Sequence, residues 1–191
     1  MGRRMRSGEM AGIEEVNYLK DETKIIIRVP ETKDAEGLIE HVKRINKETT
    51  FLIREAEEFN FTIKQQESFI QARVNSDINL FIIAEVEGKV IGSCILSGTN
   101  LKREKHKMDL NISIQKKYWG LGIGTKLMEL SIDWAKEKEV KKIGLKVDSS
   151  NSRAVGLYKK LGFEVEGRLL KDKYMSDGSY RNSYLMGLIL D

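Results

Sequence analysis

Gln115-Lys116-Lys117-Tyr118-Trp119-Gly120-Leu121-Gly122-Ile123-Gly124-Thr125 carries three alternate glycines, and what flanks them decides how the chain is read. Upstream, Met108 to Ile114 alternates strictly. Met108, Leu110, Ile112 and Ile114 share one side, and Asp109, Asn111 and Ser113 the other, which is the period of a half-buried strand. Downstream, Ile123, Leu127, Leu130 and Trp134 form one face of a helix over Gly122 to Glu137, with Lys126, Glu129, Asp133, Lys136 and Glu137 turned to water. A strand therefore runs through a glycine turn into an amphipathic helix. Glycine lets the backbone approach a ligand and aim successive amide N–H groups at it, and the helix start adds partial positive charge. Such a turn suits a pyrophosphate.

The spacing separates this turn from other phosphate binders. A dinucleotide fold needs G-x-G-x-x-G at the first strand of a crossover, whereas G-x-G-x-G stands here, late in the chain. A nucleoside triphosphate loop needs Gly-Lys followed by Ser or Thr, but Thr125 precedes Lys126. Close packing of strand on helix would also explain a lone glycine cluster, so the context has to decide.

Working outward, Lys24 to Val29 is a β-branched run closed by Pro30, and Thr32 to Lys47 carries Ala35, Leu38, Ile39, Val42 and Ile45 at helical spacing. A second helix is predicted over Lys64 to Val74. Leu80 to Val86 and Lys89 to Leu96, joined through Glu87-Gly88, read as a hairpin. Ile143, Leu145 and Val147 mark a strand parallel to Met108–Ile114, because strand, helix, strand in this order is a crossover. A short helix from Ser152 to Leu161 stops at Gly162, and strands over Phe163–Leu170 and Tyr180–Leu190 flank Asp177-Gly178. The predicted fold is α+β: a mixed, mainly antiparallel central sheet flanked by helices. Residues 1–22 read as a flexible N-terminal tail and 23–191 as a single domain.

The context is a second segment, Asn151-Ser152-Arg153-Ala154-Val155-Gly156-Leu157-Tyr158-Lys159-Lys160-Leu161-Gly162-Phe163. Together the two segments resemble the GNAT superfamily of N-acetyltransferases, in which a glycine-rich turn and helix lead through a parallel strand to an N-x-x-A-x-x-L-Y-x-K-x-G-F helix. The likeness covers roughly residues 23 to 190 and implies the acetyltransferase fold. The closing Glu164 to Leu190 region, especially Asp177-Gly178-Ser179-Tyr180-Arg181-Asn182-Ser183-Tyr184, resembles members acting on ribosomal-protein N-termini, polyamines or amino acids. One position departs from the pattern: Trp119 stands where that family commonly has Gln or Arg. Backbone amides then carry the phosphates, with Lys117 the candidate for the missing charge.

The resemblance implies acetyl-CoA as cosubstrate. Its pantetheine would pair with strand backbone near Asn111, Ile112 and Ile114, and its pyrophosphate would lie on Trp119, Gly120, Leu121, Gly122, Ile123, Gly124 and Thr125. Asn151 and Ala154 complete the cofactor contacts. Tyr158 matches the family tyrosine that protonates the departing thiolate. For the base, Asp109 is the candidate, with His106, Glu104 and a water relay as alternatives. The implied activity moves acetyl directly to a primary amine of a small molecule or a peptide N-terminus; the alternative is a noncatalytic acyl-CoA-binding regulatory domain. Tyr180, Asn182 and Tyr184 share a face that suits the acceptor, a homodimer contact or a plain sheet surface. Glu55, Glu57 and Glu58 could draw a cationic amine.

Composition narrows the remaining classes. Thirty-three basic against 29 acidic residues leave +4, too little to indicate nucleic acid. No apolar run approaches the roughly 20 residues of a membrane helix. The basic opening is followed by no apolar stretch, unlike a secretory signal. One cysteine, Cys94, precludes an internal disulfide and reads as a small core residue, while two histidines without a cysteine cluster give no metal spacing. A cytoplasmic location and no metal are expected.

Overall fold

The computed structural model describes residues 13–19 and 22–190. Eight strands form one sheet in the order β1-β2-β3-β4-β5-β6-β8-β7. They are β1 (Glu14–Tyr18), β2 (Lys24–Arg28), β3 (Asn79–Val86), β4 (Lys89–Ser97), β5 (Lys107–Ile114), β6 (Lys142–Asp148), β7 (Glu164–Tyr174) and β8 (Tyr180–Ile189). Every neighbouring pair is antiparallel except β5 with β6. The helices are α1 (Ala35–Glu48), α2 (Ile63–Val74), α3 (Ile123–Glu137) and α4 (Ser152–Lys160). This is the mixed, mainly antiparallel arrangement that the periodicities predict.

The expected tail needs one correction. Residues 1–12 lie outside the described ones, but Glu14–Tyr18 pairs with β2 in the register Val16↔Ile26. The residues flanking it, Ile13 and Leu19, are buried in the main core and anchor an otherwise exposed strand. Because the strand's own side chains are mostly exposed, it carries almost no apolar alternation to read.

Both faces of the sheet are covered, and strand alternation sorts the side chains between them. Leu80, Ile82, Cys94, Leu96, Met108 and Leu110 pack with Leu127 and Met128 of α3, whereas Phe81, Ile83 and Val90 pack with Leu38 of α1 and Ile70 of α2. α2 begins at Thr62, whose hydroxyl accepts from the Gln65 amide while Gln65 Oε1 accepts from the Thr62 amide. That reciprocal cap satisfies two amides at the helix start. Near the other end of the sheet, Arg28 of β2 bridges Asp34 at 2.7 Å and Glu85 of β3 at 2.6 Å.

β5 and β6 pair only through Lys107↔Lys142, Met108↔Ile143 and Asp109↔Gly144, although β5 runs on to Ile114 and β6 to Asp148. The two central strands diverge and leave a gap in the middle of the sheet.

Candidate active site

The edge facing this gap can be read from the ladder. The Gln115 amide donates to the Ile91 carbonyl at 2.9 Å, and the Ser113 carbonyl lies against Gly92, so odd-numbered residues of β5 turn their backbone groups to β4. Leu110, Ile112 and Ile114 therefore turn theirs to the gap. The Ile114 carbonyl already has a partner: the Trp119 indole Nε1–H donates to it at 2.7 Å.

That bond folds the glycine turn back onto the end of β5. Gly120 and Gly122 have φ of +81° and +88°, where a side chain would be strained, and Gly122 is the N-cap of α3. Gly124 works differently. It lies inside the helix, and a Cβ there would stand 3.1 Å from Leu157 Cδ2 and 3.3 Å from Ile114 Cδ1. Two of the glycines shape the turn, and the third lets α3, α4 and β5 meet.

A cavity of about 420 Å³ opens at this junction. Ile112, Ile114, Trp119, Gly120, Gly122, Ile123, Gly124 and Thr125 border it from β5, the turn and α3, and Asn151, Ala154 and Tyr158 from α4. Asn151 also caps α4, its Oδ1 accepting from the Ala154 amide at 3.2 Å. A second cavity, about 680 Å³, lies on the α1 side of the gap and includes Asp109, Asn111, Lys146, Asp148 and Lys173. Ile45, Phe51, Leu52, Ile112, Ser113 and Tyr158 border both. The gap is the passage between them, with Tyr158 beside it.

Burial governs the ionisable groups here. It pushes the Tyr158 phenol up, with neighbouring Cys94 adding to the effect, so the hydroxyl keeps its proton. Burial likewise pushes the Cys94 thiol up to about 12, although the hydrogen bond to Ser131 pulls slightly back. Fully buried and protonated, Cys94 packs rather than reacts. In the second cavity Asp148, Asp172 and Glu166 each hold a lysine, Lys173 at 2.5 Å, Lys146 at 3.0 Å and Lys142 at 2.6 Å. Among the described residues Asp109 has no such ion pair.

The structure thus gathers most of the predicted residues and separates a few. Asn111 has its backbone committed to β4 and borders only the second cavity, whereas Ile112 borders both and Ile114 only the first. Leu121 is exposed and borders neither. Lys117 also borders neither; its ammonium sits 5.3 Å from the Tyr118 ring centre. The cations at the first cavity are instead Arg153 and Lys160. Their seven-residue spacing, two turns of one helix, was the available signal. His106 and Glu104 border neither cavity, and Glu104 pairs with Lys107. Nor do Glu55, Glu57 and Glu58, the first and last of which form a reciprocal cap on a short 3-10 turn.

Sequence reading also passed over His41. It is fully buried on α1, its Nε2 2.9 Å from Ser113 Oγ, and Nδ1 has no partner among the described residues. Burial, with Arg44 adding to it, pushes it down to about 4, so the core holds a neutral ring.

A glycine turn at a helix start, an open strand edge and two joined cavities agree with what the matched sequence shares. The model of the acetyltransferase (GNAT) family matches residues 43–163. The chain belongs to this GNAT family. A solved GNAT acetyltransferase from Streptococcus pneumoniae is 33% identical and superposes with a TM-score of 0.83, covering 87% of this chain and 99% of that one. Among curated relatives, an N-alpha-acetyltransferase of Sulfurisphaera tokodaii is 37% identical over 56% of this chain, and a spermidine N(1)-acetyltransferase of Escherichia coli is 30% identical over 54%. The matches span 66% and 55% of those two proteins. No helix among the described residues is long and apolar enough to cross a membrane.

Proposed function

We propose that this GNAT chain transfers the acetyl group of acetyl-CoA directly to a primary amine of a small molecule or a peptide N-terminus, with Tyr158 as general acid. The observation that carries this is the position of Tyr158, buried and protonated where the two cavities join. The residues present fit acetyl-CoA: an open strand edge at Ile112 suits an extended amide-bearing arm, and the amides of the Gly120–Gly124 turn with Arg153 and Lys160 suit its phosphates. Once bound, it supplies an acetyl thioester.

The protein's own groups then have distinct tasks. Asp109, the carboxylate of the second cavity free of an ion pair, takes a proton from the incoming amine, directly or through water. As the C–N bond forms and the C–S bond breaks, Tyr158 gives its proton to the leaving sulfur and regains one from solvent. Fully buried Cys94 takes no part, so transfer needs no acyl-enzyme. The names of the two relatives, an N-alpha-acetyltransferase and a spermidine N(1)-acetyltransferase, each specify an amine nitrogen as acceptor.

The test incubates the protein with acetyl-CoA and an amine panel of spermidine, L-amino acids and alanine-terminated peptides. Free thiol and acetylated product are both followed. Stoichiometric appearance of the two supports transfer. CoA binding without turnover of any amine would instead mark a noncatalytic acyl-CoA-binding domain.

A further inference from the structure

The segment between α1 and the 3-10 turn at Ala56–Glu58 has no helix or strand of its own, yet it shapes both cavities. Thr49, Phe51 and Leu52 border the first, and Phe51, Leu52, Ile53 and Arg54 the second. Its tether comes from the far end of the chain. Lys173 Nζ donates to the Phe51 carbonyl at 3.0 Å, and the Arg181 guanidinium carbon lies 5.9 Å from the centre of the Phe51 ring.

Lys173 reaches inward because β7 is irregular. Its register on β8 shifts between Leu169 and Lys173, Lys171 takes a φ of +52°, and the Lys171 amide is caught by Asn182 Oδ1 at 2.9 Å. The kink re-aims the side chains that follow it. Lys173 is only 12% exposed, and its charge is met by Asp148, whose side chain is fully buried, at 2.5 Å. Asp148 is fixed in turn by the Ser150 amide at 2.9 Å and the Ser150 hydroxyl at 2.6 Å. Of the ammonium's three donors, one goes to Asp148 and a second to the loop carbonyl.

We infer that Lys173 is a positioning residue: clasped by Asp148, it holds the Phe51 loop across the passage and thereby sets how the amine acceptor is seated. This rests on the proposed acetyl transfer with the acceptor in the second cavity. Lys173 and Arg181 lie on the C-terminal hairpin, beyond residues 43–163 matched by the family model, whereas their partners Phe51 and Asp148 lie within that segment. The clasp acts on the acceptor side, whereas the cofactor turn is held separately through Trp119.

The experiment compares wild type, Lys173→Met and Lys173→Arg. Hydrogen exchange at residues 49–54, which needs no ligand, is expected to quicken in Lys173→Met while α3 and β5 keep their protection. In steady state with the fastest amine of the panel, KM for the amine should rise about tenfold, the scale of one charge-assisted hydrogen bond. kcat and CoA affinity should stay near wild type, and Lys173→Arg should restore most of the loss. Unchanged loop exchange overturns the inference, as does a loss of CoA affinity matching the KM change. Should Lys173→Met fail to fold, Arg181→Gln removes the Phe51 ring contact together with the 3.7 Å pairing of Arg181 with Asp148, and unaltered exchange at Phe51 together with unaltered amine KM would count against the clasp. If wild type acetylates no amine, the functional reading falls, while loop exchange still judges the tether.

Discussion

Replacing Trp119 by phenylalanine separates a clamp from a ligand contact. The variant loses the indole donor to the Ile114 carbonyl, a 2.7 Å bond, but keeps a ring where Arg153 now lies 5.7 Å from the indole. A typical hydrogen bond contributes about 0.5–1.5 kcal/mol net. The Ile114 carbonyl has no β6 partner, yet it sits beside a cavity that water can enter, which holds the cost towards the lower half of that range. Poorer packing of the smaller ring adds a comparable amount, for about 1–2 kcal/mol in all. At this chain length that lowers Tm by roughly 2–8 °C. The freed turn must then be ordered by the cofactor, so CoA should bind about three- to tenfold more weakly. Thermal unfolding without ligand and calorimetry with CoA measure the two effects. An unchanged Tm combined with a loss of affinity beyond tenfold would show that the indole contacts CoA itself, and the clamp reasoning would be wrong.

Tyr158→Phe should lower kcat by about 10²–10⁴-fold, the usual range for a general acid, with CoA affinity nearly kept. Because burial raises the phenol, the acid form persists as pH rises, so wild type should show no alkaline loss below about pH 10 from this group; a fall there absent from the variant would contradict it. Arg153→Gln should weaken CoA about tenfold and flatten the salt dependence of binding, whereas equal salt slopes would remove Arg153 from phosphate contact. Asp148 is pulled upward by burial, but Lys173 and Ser150 outweigh this and hold it below the ordinary carboxylate range. Its contribution is thus present above about pH 4 and lost as pH falls through its folded value. Asp148→Asn should cost about 3 kcal/mol at pH 7 and progressively less in acid, as read by denaturant unfolding; a gap that does not change with pH would refute the pairing.

How much the residues foretold depended on periodicity. Met108–Ile114, Gly122–Glu137 and the hairpin at Glu87-Gly88 follow clear alternation or helical spacing, and they became β5, α3 with its cap, and β3–β4. β1 escaped because burial falls on Ile13 and Leu19 at its ends. β7 was expected to stop at Leu170; it resumes after the kink at Lys171 to pair Lys173 with Arg181, and a positive φ at lysine has no composition to announce it. Grouping Asn111 with Ile112 and Ile114 overlooked the very alternation that identified the strand, since neighbouring residues turn their backbone groups to opposite edges. The first cavity was largely legible because its residues come from two compact motifs. The second was not, because it draws on α1, the Phe51 loop, β5, β6 and the β7–β8 hairpin, elements far apart in sequence.

The gap between β5 and β6 has a consequence for solubility. An open strand edge in the heart of a sheet would invite a strand of another molecule and lead to aggregation. Here the bare stretch is closed below by Asp109↔Gly144 and above by the Trp119 indole on Ile114. From Leu110 to Ile114 it spans about 13 Å at the usual rise per residue. That is shorter than the roughly 17–20 Å of an ordinary strand, so an intruding strand finds few free groups to pair with. The opening is in this way too short to seed a fibril.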